Sequence, residues 1–416
     1  MANTISRTLR PVHPFPARMA SSIALQSLPQ NGHKVRVLDC MAGSGTTLAA
    51  ARILGHTAIG FDTDPLAVLI ARTWCTDIDK VNVENKAQKV FDRAQKLYSQ
   101  FSATSAYPAG ADEETRAFIR FWFDYTNRRQ LTALSYVISE MRESDLKSIL
   151  WCALSKMIIT KRRGVSLAMD VSHSRPHRVY SKAPVNAFFQ FIPAVKSILR
   201  ASPFEKGIKS LPSVKVCKGD ARRLPLQAES VDLVITSPPY LNAINYLRGH
   251  KLALVWMGYT VRQLRDIRAR NVGTEISATN HQKENFIDAT LRQMGKIDHL
   301  PSRHRGMISQ YIIDMNSVLN EIHRVLTKKG RAVIVVGDST IRETFIMNSK
   351  AIQYLGTRQG LKLISIKRRK LPENRRYLPP PSTIGSGKEL QRRMREEIII
   401  TFQKPASRKP EIVSSN

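Results

Sequence analysis

The chain is short of negative charge: 33 aspartates and glutamates stand against 65 lysines and arginines among 416 residues, a formal charge of +32. An excess of that size on a globular chain favours a polyanionic partner, because each phosphate neutralised releases condensed counterions. A basic face that is merely solvated is the plainer reading. No run of about 18 apolar residues occurs, which excludes a transmembrane helix, and no basic amphipathic anchor stands out for a membrane surface. The first residues lack the apolar core of a secretory signal. Only four cysteines are present, Cys40, Cys75, Cys152 and Cys217. Their scatter fits neither zinc-type spacing nor a disulfide framework, so they are expected to be core residues in a reducing compartment, with no metal site. There is no internal repeat and no low-complexity tract beyond Pro379-Pro380-Pro381.

What is there is a core of ample size, 42% hydrophobic, enough for one large domain or two smaller ones. Val35–Asp39 reads as a first strand, followed by the turn Ala42-Gly43-Ser44-Gly45 and a helix from Thr46 to Leu54. Thr57–Phe61 forms a second strand ending at Asp62, and Pro65 opens the next helix at a position where proline is tolerated. Strand–helix–strand–helix implies parallel strands with right-handed crossovers. Between Val83 and Ser210 the apolar spacing becomes helical, as in Leu146, Ile149, Leu150, Ala153, Leu154, Met157 and Ile158. This is far more chain than one crossover needs, so residues 83–210 are read as an inserted helical subdomain.

The strand pattern resumes at Val214–Cys217, ending in Gly219-Asp220, and again at Val231–Ile235. Asn242–Met257 reads as helical. Residues 259–305 are polar, basic and weakly periodic, a second insertion. Ile308 to Leu326 marks a long amphipathic helix expected to end at Lys328-Lys329-Gly330. Three further strands are expected at Arg331–Val336, Leu361–Ile366 and Glu397–Phe402. The catalytic core then comprises residues 1–82, 211–258 and 306–405, with 406–416 as a tail.

Two strand ends carry chemistry. The apolar run Val231-Asp232-Leu233-Val234-Ile235 leads into Thr236-Ser237-Pro238-Pro239-Tyr240, a rigid corner, polar and then aromatic, suited to gripping a flat ring that bears an amine. The first strand leads into Asp39-Cys40-Met41-Ala42-Gly43-Ser44-Gly45-Thr46-Thr47. Gly43 and Gly45 allow close backbone approach, and Ser44 and Thr46 are suited to capping the helix. A dinucleotide fingerprint fails, because the sixth position counted from Gly43 is Leu48. A P-loop fails for want of lysine. Asp62 can accept two hydrogen bonds from vicinal ribose hydroxyls, whereas Asp64 is either a second such residue or a helix cap.

Together, and in this order, these motifs resemble the amino-methylating DNA methyltransferases, which use S-adenosylmethionine to methylate the exocyclic nitrogen of cytosine or adenine. The resemblance implies the class I methyltransferase fold, an α/β doubly wound sheet of seven strands. It implies that Asp39 and the loop Ala42, Gly43, Ser44, Gly45 and Thr46 contact the methionine moiety. His13-Pro14-Phe15-Pro16 resembles the family's proline–aromatic segment, with Phe15 and Pro16 closing over that end. Asp220 and Ala221 correspond to the adenine-contacting position, although Asp220 also reads as an ordinary turn aspartate.

At the reacting end, the exocyclic amine is a poor nucleophile because its lone pair is delocalised into the ring. Ser237 Oγ and the Pro238 carbonyl would accept its hydrogens and restore that lone pair. Pro238 and Pro239 fix φ, so the carbonyl needs no reorganisation. Tyr240 would stack on the base, which must be flipped out of double-stranded DNA to arrive there. Serine at the first position of the corner favours cytosine N4 over adenine N6. Methylation at carbon-5 needs a Pro-Cys nucleophile, which the chain lacks.

The expected function is thus a site-specific DNA methyltransferase, prokaryotic and cytoplasmic, associated with the nucleoid, with a cognate restriction endonuclease as its genetic partner. Adenine N6 methylation, RNA base methylation and a catalytically silent nucleic-acid-binding homologue are the competing readings. Both the basic loop Lys161–Arg178 and the second insertion, with Arg262, Arg265, Arg268 and Arg270, are candidates for recognising the target. Two loops nearly two hundred residues apart in sequence are expected at one sheet edge.

Overall fold

A computed structural model describes residues 9–16, 18–207, 211–241, 245–273, 285–342, 344–371 and 396–406. Its main sheet is built from β1 (Arg36–Asp39), β2 (Thr57–Asp62), β3 (Val214–Lys218), β4 (Val231–Thr236), β5 (Leu326–Val336), β6 (Lys362–Lys370) and β7 (Glu396–Gln403). The seven strands lie in the order β3-β2-β1-β4-β5-β7-β6. β7 runs antiparallel to both its neighbours, while β1–β4, β4–β5 and β2–β3 pair in parallel. This is the α/β doubly wound sheet expected from the alternation of strands and helices. The order reverses beside β1, which makes the carboxyl ends of β1 and β4 the switch point where such sheets bind ligands.

By its contacts the chain forms two compact units, each with its own core. The first (Met1–Leu28, Ala42–Lys218, Ile244–Asn271) contains β2, β3 and most helices. Helix Pro65–Cys75 follows β2 with Pro65 in its first turn and Asp64 as its cap, accepting from Leu66 N at 2.9 Å. The long block between β2 and β3 is helical as expected, over Lys80–Leu97, Glu113–Trp122, Tyr125–Ser139, Asp145–Ile158 and Ala187–Ala201. It is anchored on the sheet's own helix layer, since Asp145–Ile158 packs against Pro65–Cys75. Trp74, Trp256, Phe123 and Phe191 are the largest fully buried side chains of this unit.

The second unit (Pro29–Met41, Gly219–Ala243, Val272–Asn416) holds β1 and β4 to β7, with Tyr311 and Phe402 in its core. Its helix Ser302–Val325 stops earlier than the sequence suggests, and β5 starts at once at Leu326. Lys328-Lys329-Gly330 is therefore no helix cap. It is a distortion within the strand, with the β4 pairing shifting between Val231 and Leu233 and Lys329 at φ +63°. Lys329 N and the Gly330 carbonyl are satisfied by the Lys404 backbone at 2.9 Å each, so the segment has strand partners that a local reading of cations and glycine cannot reveal. β6 is longer than expected because it pairs with β7 along its length.

The second insertion is more regular than its composition suggests. Val261–Ala269 begins with a capping box formed by Thr260 and Gln263, and Asn285–Met294 is a further helix. The helix expected over Asn242–Met257 is found at Tyr246–Leu254 with a 3-10 turn to Met257, and residues 242–244 lie outside the described residues. So do 274–284, the Pro379-Pro380-Pro381 stretch and most of the expected tail. Among the described residues no helix is long and apolar enough to cross a membrane. Of the four cysteines, Cys40, Cys75 and Cys152 are buried as expected, while Cys217 is exposed on β3.

Gly45 is the glycine on which the turn after β1 most depends. Its φ is +87°, and a Cβ there would lie 2.8 Å from Cβ of Ala71 on the neighbouring helix. Gly45→Ala therefore combines left-handed strain with overpacking, and a loss of about 2–4 kcal/mol is expected in urea unfolding.

Candidate active site

In the first unit, the glycine loop is fixed from two sides. Ala42 N donates to the Phe61 carbonyl at 2.8 Å, and Gly43 N donates to Asp62 Oδ2 at 2.8 Å. The other carboxylate oxygen of Asp62 accepts from Asp64 N at 2.9 Å. Asp62 thus ties the end of β2 both to the loop and to the start of the next helix. Gly43 has φ +49°, and a Cβ on it would come within 3.2 Å of the Phe15 ring, so the proline–aromatic segment does lie over the glycine loop. Pro16 beside it is buried.

Ser44 and Thr46 do not cap the helix Thr46–Ile53. Gly45, in the left-handed region, occupies the cap position and no side chain bonds there. The Ser44 and Thr46 hydroxyls are instead buried without a hydrogen-bond partner. Two unpaired hydroxyls cost about 1–3 kcal/mol each. Groups left unpaired at that cost are available to a polar ligand.

Three residues here were not singled out from sequence: Tyr246, His250 and, as a cap with a second partner, Asp64. Phe15 stacks on Tyr246 with centroids 5.6 Å apart, and its ring lies 5.2 Å from that of His250. His250 is fully buried and donates from Nδ1 to Asp64 Oδ2 at 2.5 Å. Gly43, Asp62, Asp64, His250 and Phe15 therefore form a closed ring of contacts around the loop. A lone histidine in a short mixed helix carries no sequence signal of this. Its partner is 186 residues away.

In the second unit, β1 and β4 pair in register, Val37 with Leu233 and Leu38 with Val234, so both strands end at the same edge. Thr236 Oγ1 donates to the buried Asp39 carboxylate at 2.7 Å, and Met41 N donates to the same oxygen at 3.2 Å. Ser237 Oγ donates to the Val335 carbonyl at 3.0 Å, which fixes the corner against β5. Pro238 is buried, while Ser237, Pro239 and Tyr240 are half-buried.

Asp220 has its carboxylate gripped by Arg222 at 2.7–3.2 Å, and Arg222 reaches on to the buried Asp314 at 2.8 Å. It also closes a local turn with Arg223. Ala221 is buried beside it. Asp338, just beyond β5, is a further carboxylate the sequence reading passed over. Burial raises its pKa above the ordinary value, although it accepts from Ser349 N at 2.9 Å.

No protein-family model matches the chain. It is 25% identical over 319 residues to the type II methyltransferase M.BsoBI of Geobacillus stearothermophilus, a stretch covering 70% of this chain and 59% of that enzyme. It is also 25% identical over 347 residues to the type II methyltransferase M.AvaI of Nostoc sp., covering 73% of this chain and 68% of that one. The chain thus bears a distant similarity to type II methyltransferases and spans about three fifths of the length of the first. A solved SAM-dependent methyltransferase from Methanosarcina mazei overlays 92% of this chain and 98% of its own, at 9% identity and a TM-score of 0.34. That score is too low for the overlay to bear on this chain's function.

The segment carrying Phe15 is held through His13, which is buried. Its Nδ1 donates to the Pro14 carbonyl at 2.6 Å and Nε2 meets the Ser155 hydroxyl at 2.7 Å. Burial lowers its pKa from 6.5 to about 3. The unfolded chain therefore takes up this proton at a higher pH than the fold does. The contribution of neutral His13 is complete above 6.5 and is lost as pH falls toward 3. The slope is at most about 1.4 kcal/mol per pH unit. In urea unfolding across this range, His13→Gln should be less stable at neutral pH and flatter with falling pH than the parent.

Proposed function

We propose that the chain is a site-specific DNA methyltransferase that moves a methyl group from S-adenosylmethionine to the exocyclic N4 of cytosine, in a base flipped out of the duplex. The observation that carries this is the hydrogen bonding of Ser237. Its hydroxyl proton is engaged by the Val335 carbonyl, which turns the Oγ lone pairs toward acceptance. That is the polarity needed to draw on an amine hydrogen. The carbonyl of Pro238, preset by the two prolines, is the second acceptor. With both amine hydrogens held, the nitrogen is pulled toward tetrahedral geometry and its lone pair becomes available. Tyr240 supplies the face on which the base stacks. The distant similarity to type II methyltransferases supports the same reading.

The residues that would hold the cofactor are Phe15, Pro16, Asp39, Ala42, Gly43, Ser44, Gly45 and Thr46 at the methionine end. Asp62 would serve the ribose, and Asp220 with Ala221 the adenine. The unpartnered hydroxyls of Ser44 and Thr46 and the glycine cradle under Phe15 fit such a group. When bound, it supplies an electrophilic methyl on a sulfonium. Asp64 and His250 act one step back, holding Asp62 and Phe15 in position. Serine rather than a carboxylate or amide at position 237 favours cytosine over adenine. A cognate restriction endonuclease would be the genetic partner, and the nucleoid the place of work.

Incubation with unmethylated DNA and labelled cofactor, followed by mass spectrometry of the nucleosides, should yield N4-methylcytosine. Adenine N6 product alone would overturn the base assignment, and label on RNA alone the substrate class. Ser237→Ala should lose about 10²–10³ in turnover while binding S-adenosylhomocysteine as tightly as the parent. Undiminished turnover would remove the mechanism. Asp64→Asn should act differently, weakening S-adenosylhomocysteine binding several-fold in calorimetry, because it loosens the ring of contacts behind Asp62.

A further inference from the structure

The two basic segments singled out from sequence differ in how the fold treats their charges. In the second insertion, Arg265 is paired with Glu114, Asp266 stands beside it on the same helix, and Arg268 is half-buried. In the loop after helix Asp145–Ile158, Lys161, Arg162, Arg163, Arg175, Arg178 and Lys182 are all exposed. The only carboxylate within residues 161–182 is Asp170, and it faces His173 at 3.3 Å.

The loop is also held in one shape. Asp170 N bonds the Lys161 carbonyl at 2.9 Å and Ser172 N the Thr160 carbonyl at 3.0 Å. Ser174, in the left-handed region, accepts from Gly249 N at 3.1 Å and donates toward the carbonyls of Asn245 and Tyr246. A Cβ on Gly249 would lie 2.6 Å from the Val171 carbonyl, so a glycine is needed for this contact. The loop is thereby seated on helix Tyr246–Leu254, whose first residue stacks on Phe15 and which starts six positions after Tyr240. At its far end, Arg178 lies over the exposed ring of Phe121, 5.2 Å from the centroid.

We propose that residues 161–182 form a surface that grips the phosphates of duplex DNA. The inference rests on the proposed DNA methyltransferase activity for the identity of the polyanion. Six exposed cations within 22 residues, on a backbone fixed before binding, offer charge without a backbone ordering cost. Phosphate contact positions the duplex, and base reading is left to other groups.

The test is fluorescence anisotropy with a duplex of arbitrary sequence over a salt series. It compares the parent with a variant carrying Arg162→Ala, Arg163→Ala, Arg175→Ala and Arg178→Ala. All four side chains are exposed, and unchanged affinity for S-adenosylhomocysteine checks that the fold is intact. Binding should weaken at least about tenfold, equally for all sequences, and the slope of log affinity against log salt should become shallower by about two to four. A control with Lys89→Ala and Lys96→Ala, two exposed lysines on helix Lys80–Leu97, should bind nearly as the parent does. An unchanged slope in the fourfold variant, or an equal loss in the control, would overturn the proposal. If the parent methylates DNA while the fourfold variant binds it undiminished, this surface fails and the activity stands. If the parent neither binds nor methylates duplex, both fall.

Discussion

The buried hydrogen bond from Thr236 to Asp39 is the constraint on which the strand ends of the second unit depend. A carboxylate at 2% exposure is costly to bury unless its oxygens are satisfied. Here Thr236 and Met41 N satisfy one of them, at 2.7 and 3.2 Å. The bond joins the last residue of β4 to the last residue of β1, one position before Ser237 in one direction and three before Ala42 in the other. It therefore fixes the ends of the two strands to each other. The geometry follows from parallel pairing, because two parallel neighbours necessarily end at the same edge.

Asp62 plays the matching part in the first unit. It accepts from two backbone amides on different segments, Gly43 N and Asp64 N, and each is a charge-assisted bond. Once these are made, the loop's shape is dictated by backbone, and the side chains of Ser44 and Thr46 are released from any capping duty. Gly45 makes this division feasible. It takes the cap position in a conformation that serine would adopt only with strain. The loop thus holds two buried hydroxyls that make no hydrogen bond within the fold, as the proposed cofactor contact requires.

Much of this was legible in the sequence. β1, β2 and β4 announce themselves as short β-branched or apolar runs closed by an acid, a glycine or a proline, and those closures are the residues proposed for the site. The parts that were not legible depend on partners far along the chain. Lys328-Lys329-Gly330 has the composition of a helix stop, and only its pairing with Lys404 makes it strand. Helix Val261–Ala269 has a capping box but a polar face too broad to register as periodic. His250 and Tyr246 sit in a short helix that mixes Arg248 and Lys251 with apolar residues, so their packing against Asp64 and Phe15 left no trace in local spacing. Asp220 was ambiguous and remains doubly employed, as a turn residue and as an ion-pair partner of Arg222.

The large insertion between β2 and β3 acquires a reason from its anchoring. Asn127, in the middle of that block, donates its side-chain amide to the carbonyls of Val165 and Val185 at 3.0 and 2.8 Å. Asp124 accepts from Ala183 N at 2.8 Å. These bonds bracket the basic loop from the helical side, while Ser174 fastens it to helix Tyr246–Leu254. A surface loop of this length with no fixed partners would be mobile, and its cations would lose rotational freedom on meeting a ligand. Helices Glu113–Trp122, Tyr125–Ser139 and Asp145–Ile158 each bond this segment, through the Trp122 carbonyl, Asn127 and the Met157 carbonyl, an extravagant crossover but a sensible scaffold. They hold a set of like charges in a fixed arrangement, against their mutual repulsion, on the helix that follows the Ser-Pro-Pro-Tyr corner in the chain. Repulsion of that kind is screened by solvent and salt while the loop is free, and is relieved further where phosphates meet it.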